Sequence, residues 1–392
     1  MTAEIVFVAL LGIVAGVLAG LIPGIHPNLF VSFILLYFYG FDPFLLSIFL
    51  LCSGIANSFS SFIPSIFLGA PESENSLSVL PGHKLLLEGR GYEAVKLSVI
   101  GGIIGGIISI LLFPVLLLIG IWYSEFKFLI PIGLIAIVIF MIFSEIGWKK
   151  KILAIYVFLF SGLLGILFLD FDVLFPVFTG FFGLPLLFLS FIKNVKLPEK
   201  ISFECENVNS LKSSFIGCIA GVLTGILPGI SSAQASMVVQ ELIGKRKERE
   251  FLVSIGSITT VDIIISIFAI YIIGNPRSGI AHGIMSLIGN FSLEILLLFI
   301  FLSLFSIFIS GYITIKIAKK FVFWVQSIDY SALSRNVFIC LLFTVFIFSG
   351  VKGFLLCITA FFLGIIVNVA EIKRTHLMGF LILPTIMFYI SI

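Results

Sequence analysis

Charge is scarce in these 392 residues: Asp, Glu, Lys and Arg together make up 11% of the chain. A soluble domain carries roughly a quarter, so an ordinary water-soluble fold is excluded. The net formal charge is only +3, and nothing in its placement suggests a nucleic-acid surface. Cysteine is sparse as well. Cys52, Cys218, Cys340 and Cys357 sit in apolar runs and Cys205 in a polar linker, with no CxxC, so neither a disulfide framework nor a thiolate metal site is encoded. The four histidines, His26, His83, His282 and His376, fall in separate segments, and HExxH, GxSxG and phosphate-loop patterns are missing. That removes the usual grounds for an intramembrane enzyme, a metal centre or a bound cofactor. The opening MTAEIVFVALLG lacks the basic stretch of a signal peptide and is expected to stay on the mature chain.

What is abundant is apolar. Hydrophobic residues make up 60% and the mean hydropathy is +1.26, which predicts an all-α, multi-pass protein of the cell membrane whose lipid-facing runs are Phe and Ile. Inside that greasy background a stretch recurs. GIVAGVLAGLIPGI (12–25) returns as GCIAGVLTGILPGI (217–230), identical at nine of fourteen positions at an offset of 205. The same offset sets Asn57 against Asp262, Ser61 against Ser266, Gly69 against Gly274, Pro71 against Pro276 and Ser73 against Ser278. The chain reads as two copies of one unit, 1–193 and 212–392, joined by a hydrophilic linker at 194–211.

Each copy of the repeated stretch ends an apolar arm at Pro-Gly and starts a second arm a few residues later. Proline removes a backbone donor and glycine frees φ, so the helix breaks where hydrocarbon makes unpaired amides costly, which is tolerated only beside a cavity or within protein. The arms span 4–22 and 28–40 in the first copy, 212–227 and 231–243 in the second. Further crossings are predicted near 44–68, 94–122, 127–145, 150–169, 172–193, 251–274, 291–315, 335–350, 353–370 and 377–392. Polar loops are expected at 69–93, 245–250 and 275–290.

Basic residues give the orientation. Lys149 to Lys151, the linker, Lys245 to Arg249, Lys316 to Lys320 and Lys373-Arg374 are all expected on the cytoplasmic side. Counting crossings from the linker then puts the 69–93 loop inside and Asp42 outside. Both broken units become re-entrant hairpins entered from opposite faces, so the two repeats, each one hairpin plus about five spans, are inverted. The competing count makes each broken unit a single crossing and the halves parallel, and it places one basic loop on the wrong side.

Inverted repeats with broken helices meeting at the midplane are a transporter architecture. The second arms point their N-terminal amides at the tips, a setting for an anion. The tip residues are Pro23, Gly24, Ile25, His26 and Asn28 in one copy and Pro228, Gly229, Ser231, Ser232 and Gln234 in the other. Asn28, Ser231 and Ser232 either cap their arms or donate to a ligand; His26 either titrates near neutrality or caps the turn. Asn57 and Ser58 give the second segment a polar face. Asp262 is the carboxylate deep within a predicted span, read either as the coupling site for Na⁺ or H⁺ or as a hydrogen-bonded structural acid.

With GLIPGIHP (20–27) and GILPGISS (225–232), the loop GAPESENSLSVLPGHKLLLEGRGYEAV (69–95) resembles the permease, or large membrane subunit, of the tripartite tricarboxylate transporters. The likeness rests on Gly69-Ala70-Pro71, Gly82, Gly89-Arg90 and Glu93-Ala94 in order, with Glu72 and Ser73 in the same run. The chain departs from the family pattern at His26, Glu72 and Pro81. The resemblance implies ion-coupled uptake of a small carboxylate anion such as citrate, with a small membrane subunit and an extracytoplasmic binding protein as partners. A rival reading from the tips alone is transport of a phosphate-bearing lipid such as a polyprenyl phosphate.

Overall fold

The structure is a computed structural model and describes residues 2–23, 31, 34–35, 38, 40–70, 77, 79–121, 129–168, 171–193, 202–226, 232–243 and 247–390. The described residues form helices and connecting turns, with no strand among them. In the first half these are α1 (Thr2–Leu21), α2 (Pro43–Ser60), α3 (Phe62–Phe67), α4 (Val79–Leu87), α5 (Gly91–Leu111), α6 (Phe113–Ile121), α7 (Leu129–Phe143), α8 (Trp148–Phe168), α9 (Phe171–Phe178) and α10 (Leu184–Ile192). In the second half they are α11 (Ser210–Ile226), α12 (Ser232–Ile243), α13 (Glu248–Ile273), α14 (Gly279–Ile288), α15 (Leu293–Gln326), α16 (Tyr330–Val369) and α17 (Gly379–Ile390). Eight helical stretches among the described residues are long and apolar enough to cross a membrane, as composition required.

Several expected boundaries move. The polar loop at 69–93 holds α4 and the first turn of α5, and the loop at 275–290 holds α14, whose N-cap Ser278 accepts from the Ala281 amide at 3.2 Å. Short amphipathic helices of this kind fall below a span-length window. The expected crossing at 94–122 is two helices meeting at Leu112, where Pro114 lacks the amide to continue the ladder. Lys316 to Lys320, expected in a loop, lie within α15. At 34 residues that helix is about 51 Å long, well beyond the ~30 Å hydrocarbon core, so its lysine-bearing end projects past the bilayer. Between α9 and α10 the chain winds as a π-helix over Thr179–Gly183, between Pro176 and Pro185, each of which deletes a backbone donor.

α16 is not one rod. Forty residues would reach about 60 Å, twice the core thickness, and Gly350 adopts φ 60°, ψ −162° within it. Phe346 and Phe354 lie with ring centroids 6.0 Å apart and Phe338 and Phe361 5.8 Å apart. Residues 23 apart in one straight helix would be some 35 Å distant. The chain therefore folds back at Gly350 into two antiparallel arms, agreeing with the two crossings expected at 335–350 and 353–370.

Glycines fix the helix directions. On α1, Gly12 faces Phe49 and Cys52 of α2, Gly16 faces Ser53, and Gly20 faces Asn57 and Ser60. Contacts that advance together mean α1 and α2 run parallel. On α11, Gly217 faces Ser254 and Ser257 of α13, Gly221 faces Ile258 and Val261, and Gly225 faces Asp262 and Ile265. Those are the same contacts shifted by 205, so α11 and α13 are parallel too. Two consecutive parallel helices require the chain to come back between them, and α12 is that return in the second half. It is 12 residues, about 18 Å.

The halves interlock through α5. Its Gly101 and Gly105 press on Val253 and Ser257 of α13, and Gly102 on Thr260, while Gly256 of α13 sits on Ser98. A side chain at Gly101 would place its Cβ 1.8 Å from the Val253 carbonyl oxygen. Small residues at i, i+4 let two backbones touch, which is how membrane helices gain packing when apolar burial offers none. α5 and α13 run parallel by this register. α5 runs against α2 and α3, since Gly91 meets Phe67 and Gly102 meets Phe59.

Candidate functional site

Asp262 lies near the middle of the 26-residue α13, and Asn57 at the matching point of α2. The packing that places them is the glycine register above: Gly225 stands one turn before the second break against Asp262, and Gly20 one turn before the first break against Asn57. Each polar residue is thus held beside the end of its arm. The two levels are also brought together, because Phe59 and Thr260, each two residues from one of them, both touch Gly102.

In the second half the acid is engaged. Ser232, at the first turn of α12, donates from its hydroxyl to Asp262 Oδ2 at 3.1 Å, and the Thr224 hydroxyl of α11 lies against the same carboxyl. Arm, return arm and spanning helix all converge on one carboxylate. The N-terminus of α12 carries the positive end of its dipole, so a negative group there is favoured. Gln234, two residues on, is buried and its amide reaches the Thr385 hydroxyl of α17 at 3.5 Å.

In the first half the matching group is idle. Asn57 is 3% exposed, and neither its amide nitrogen nor its oxygen has a hydrogen-bond partner among the described residues. Ser58 is different: its hydroxyl donates to the Ile55 carbonyl at 2.8 Å, spending its proton on its own helix. Pro23 ends α1 in a turn. Gly24, Ile25, His26, Asn28, Pro228, Gly229 and Ser231 lie outside the described residues, as do Pro71, Glu72 and Ser73 of the loop motif.

The remaining motif residues sit elsewhere, at the charged end of the helices. Gly69 has φ +60°, a left-handed turn that favours glycine, and Gly82 lets α4 close on Ile66 of α3. Arg90 pairs with Glu93 at 2.7 Å and with Glu206 at 2.5 Å, while Arg249 pairs with Glu93 at 3.0 Å and Glu206 at 3.1 Å. This network ties the start of α5, the linker and the start of α13 together. Lys84 joins Glu248 at 2.6 Å, Lys150 reaches Glu371 at 3.5 Å, and Lys319 lies over the Phe203 ring of the linker. The basic segments therefore gather at one end of the molecule, as the positive-inside pattern requires.

Two buried groups escaped sequence reading. Glu145, at the turn after α7, accepts from the Lys373 amide at 2.8 Å and meets His376 Nε2 at 3.1 Å. His83 of α4 lies between Ser190, 3.5 Å from Nε2, and Tyr330, 3.3 Å from Nδ1. Burial first, then the Arg374 charge, lowers its pKa to about 4, and two hydroxyls that each give or take a proton suit a neutral ring. Lone polar residues beside predicted loops gave no signal for either.

Duplicated apolar helices, parallel arm-and-span pairs and a polar residue at the matching point of α2 and α13 are features of a membrane transporter. The chain belongs to the tripartite tricarboxylate transporter TctA family, whose model matches residues 6–379. It is similar to the "Uncharacterized protein MJ1079" of Methanocaldococcus jannaschii, 34% identical over 383 residues and covering 92% of each chain. No solved structure matches.

Proposed function

We propose that this protein is a secondary transporter that moves a small carboxylate anion, of the di- or tricarboxylate class, across the cell membrane in exchange for the energy of a Na⁺ or H⁺ gradient. The observation that carries the reading is the Ser232–Asp262 hydrogen bond at 3.1 Å. It joins a carboxylate near the middle of α13 to the first turn of α12, with the Thr224 hydroxyl beside them. Oxygen ligands of that kind suit a hard cation, and a lone carboxylate there equally suits a proton. The anion is assigned to the space between the two tips, with Asn57 as the uncommitted donor of the first half. The family resemblance supports the choice of a carboxylate, and a small membrane subunit and an extracytoplasmic binding protein are its proposed partners.

Inversion of the repeats belongs to the same proposal. What supports it is helix direction: α13 runs with α5, α5 runs against α2, and α2 and α13 are the matched helices of the two halves. The shortness of α12 supports a hairpin that turns back inside the bilayer.

The test is uptake of labelled citrate and succinate into proteoliposomes, reconstituted with and without the candidate partners, under separate Na⁺ and pH gradients. Uptake driven by one of the two gradients is expected, and Asp262→Asn should reduce it at least 100-fold while the protein stays monodisperse. Gradient-driven uptake that survives this substitution would remove Asp262 from the coupling role. Transport of a polyprenyl phosphate in place of either acid would replace the substrate class.

A further inference from the structure

At the basic end of the molecule lies a cavity of about 670 Å³, within the range of small-molecule sites. It is bounded by α4, α12, the start of α13 and the segment that follows α16. Gln240, on its wall, is eight residues beyond Ser232 on α12, so the cavity opens roughly 12 Å from the Asp262 site. It is therefore a chamber distinct from that site, nearer the basic face.

The carboxylates around this chamber are all committed. Glu248 is paired with Lys84 at 2.6 Å and Glu371 with Lys150 at 3.5 Å. Behind the wall, Glu145 is taken by His376 and the Lys373 amide. Arg374 is half-buried and lines the chamber, yet no carboxylate pairs with it among the described residues; its guanidinium donates to the Asn368 side-chain oxygen. A guanidinium has five N–H donors and keeps its charge, so leaving it half-buried beside neutral groups is costly. Beside it stands Thr375, 3% exposed, whose hydroxyl has no partner among the described residues and which also lines the chamber. Lys247 adds a second cation without an ion-pair partner among the described residues. A planar fork, a spare hydroxyl and an unpaired ammonium around a half-open volume match a compact anion with several carboxylates.

We propose that this chamber is a second anion site, in which Arg374, Thr375 and Lys247 bind the di- or tricarboxylate on its way between the Asp262 region and the cytoplasmic face. The choice of carboxylate rests on the transport reading above; the existence of the site does not. Binding is measured by equilibrium dialysis of labelled citrate against the full-length protein in detergent at low salt. Arg374→Gln should weaken binding at least tenfold, Arg374→Lys by less because an ammonium lacks the fork, and Thr375→Val about threefold. Should Arg374→Gln fail to fold, as judged by helical circular dichroism and elution, Thr375→Val and Lys247→Gln carry the same test.

Citrate binding that is indifferent to Arg374, Thr375 and Lys247, or wild-type protein that binds no citrate, overturns the site whatever the uptake assay gives. Inorganic phosphate competing with citrate at equal concentration overturns the carboxylate assignment in favour of a general oxyanion site. Arg374-dependent citrate binding in a protein that transports no carboxylate would keep the site and discard the transport reading.

Discussion

Asn57 and Asp262 stand in equivalent packing, one turn below each break, and differ by one amide for one carboxylate. Their surroundings explain why the difference matters: Asp262 is met by hydroxyls from two helices, whereas Asn57 is left with both polar atoms unmatched among the described residues. A buried amide without partners costs about 1–3 kcal/mol, a cost readily recovered when a ligand supplies them. His83 makes a prediction at the same scale. Its folded-state pKa of about 4 lies below the ordinary 6.5, so the unfolded chain binds the extra proton first. The stability this neutral ring contributes is whole above pH 6.5 and is lost as pH falls toward 4, by an amount on the order of 3 kcal/mol. Melting of the detergent-solubilised protein should therefore shift down between pH 7 and 5, and His83→Gln should flatten that slope. An unchanged slope would place the acid sensitivity in another group.

Helices in this chain are held by shape more than by hydrophobicity. The α5–α13 crossing has Gly101, Gly102 and Gly105 on one side and Gly256 and Ser257 on the other, with backbone nearly touching backbone. Adding one methyl at Gly101 would drive a Cβ into the Val253 carbonyl at 1.8 Å, and neither backbone can yield. Gly101→Ala is expected to abolish recovery of monodisperse protein. Gly133→Ala, in the second turn of α7 with nothing within 4 Å of its added Cβ, should be neutral or stabilising by up to about 1 kcal/mol, because it lowers the entropy of the unfolded chain. Size-exclusion profiles of the two variants separate these outcomes. Equal recovery would mean the crossing is looser than its register implies.

Taken whole, the molecule gathers its ion-pair network at one end and carries a broad apolar girdle. Phe7, Leu18, Leu118, Tyr156, Phe301, Phe343 and Phe362 are among the large side chains left exposed along it, which is lipid-facing surface. The charged end is stitched by the Glu93–Arg249 and Arg90–Glu206 pairs. Glu93 is fully buried, and deleting one partner of a buried pair costs about 3–5 kcal/mol. The inverted arrangement makes a prediction at this scale: single cysteines introduced as Asp42→Cys and Lys247→Cys, in a background without native cysteines, should label from opposite sides of the membrane. Labelling from one side would leave the repeats parallel.

That the chain is an all-α, multi-pass membrane protein was legible in the sequence, because hydropathy acts locally and needs no partner. The pairing of Asn57 with Asp262 across the repeat was legible for the same reason, as was the break in α16, where Gly350 separates two apolar runs. Only the tertiary structure decided that arm and span run parallel, that Ser232 closes on Asp262, and that Arg90 of the loop motif belongs to an ion-pair network. It also decided that Arg374 is left facing a chamber. Which cation meets which carboxylate depends on residues far apart in the chain, 156 positions in the case of Glu93 and Arg249, and on helix crossings that a glycine permits but does not name. Composition fixes how many charges there are; packing chooses which remain unpaired.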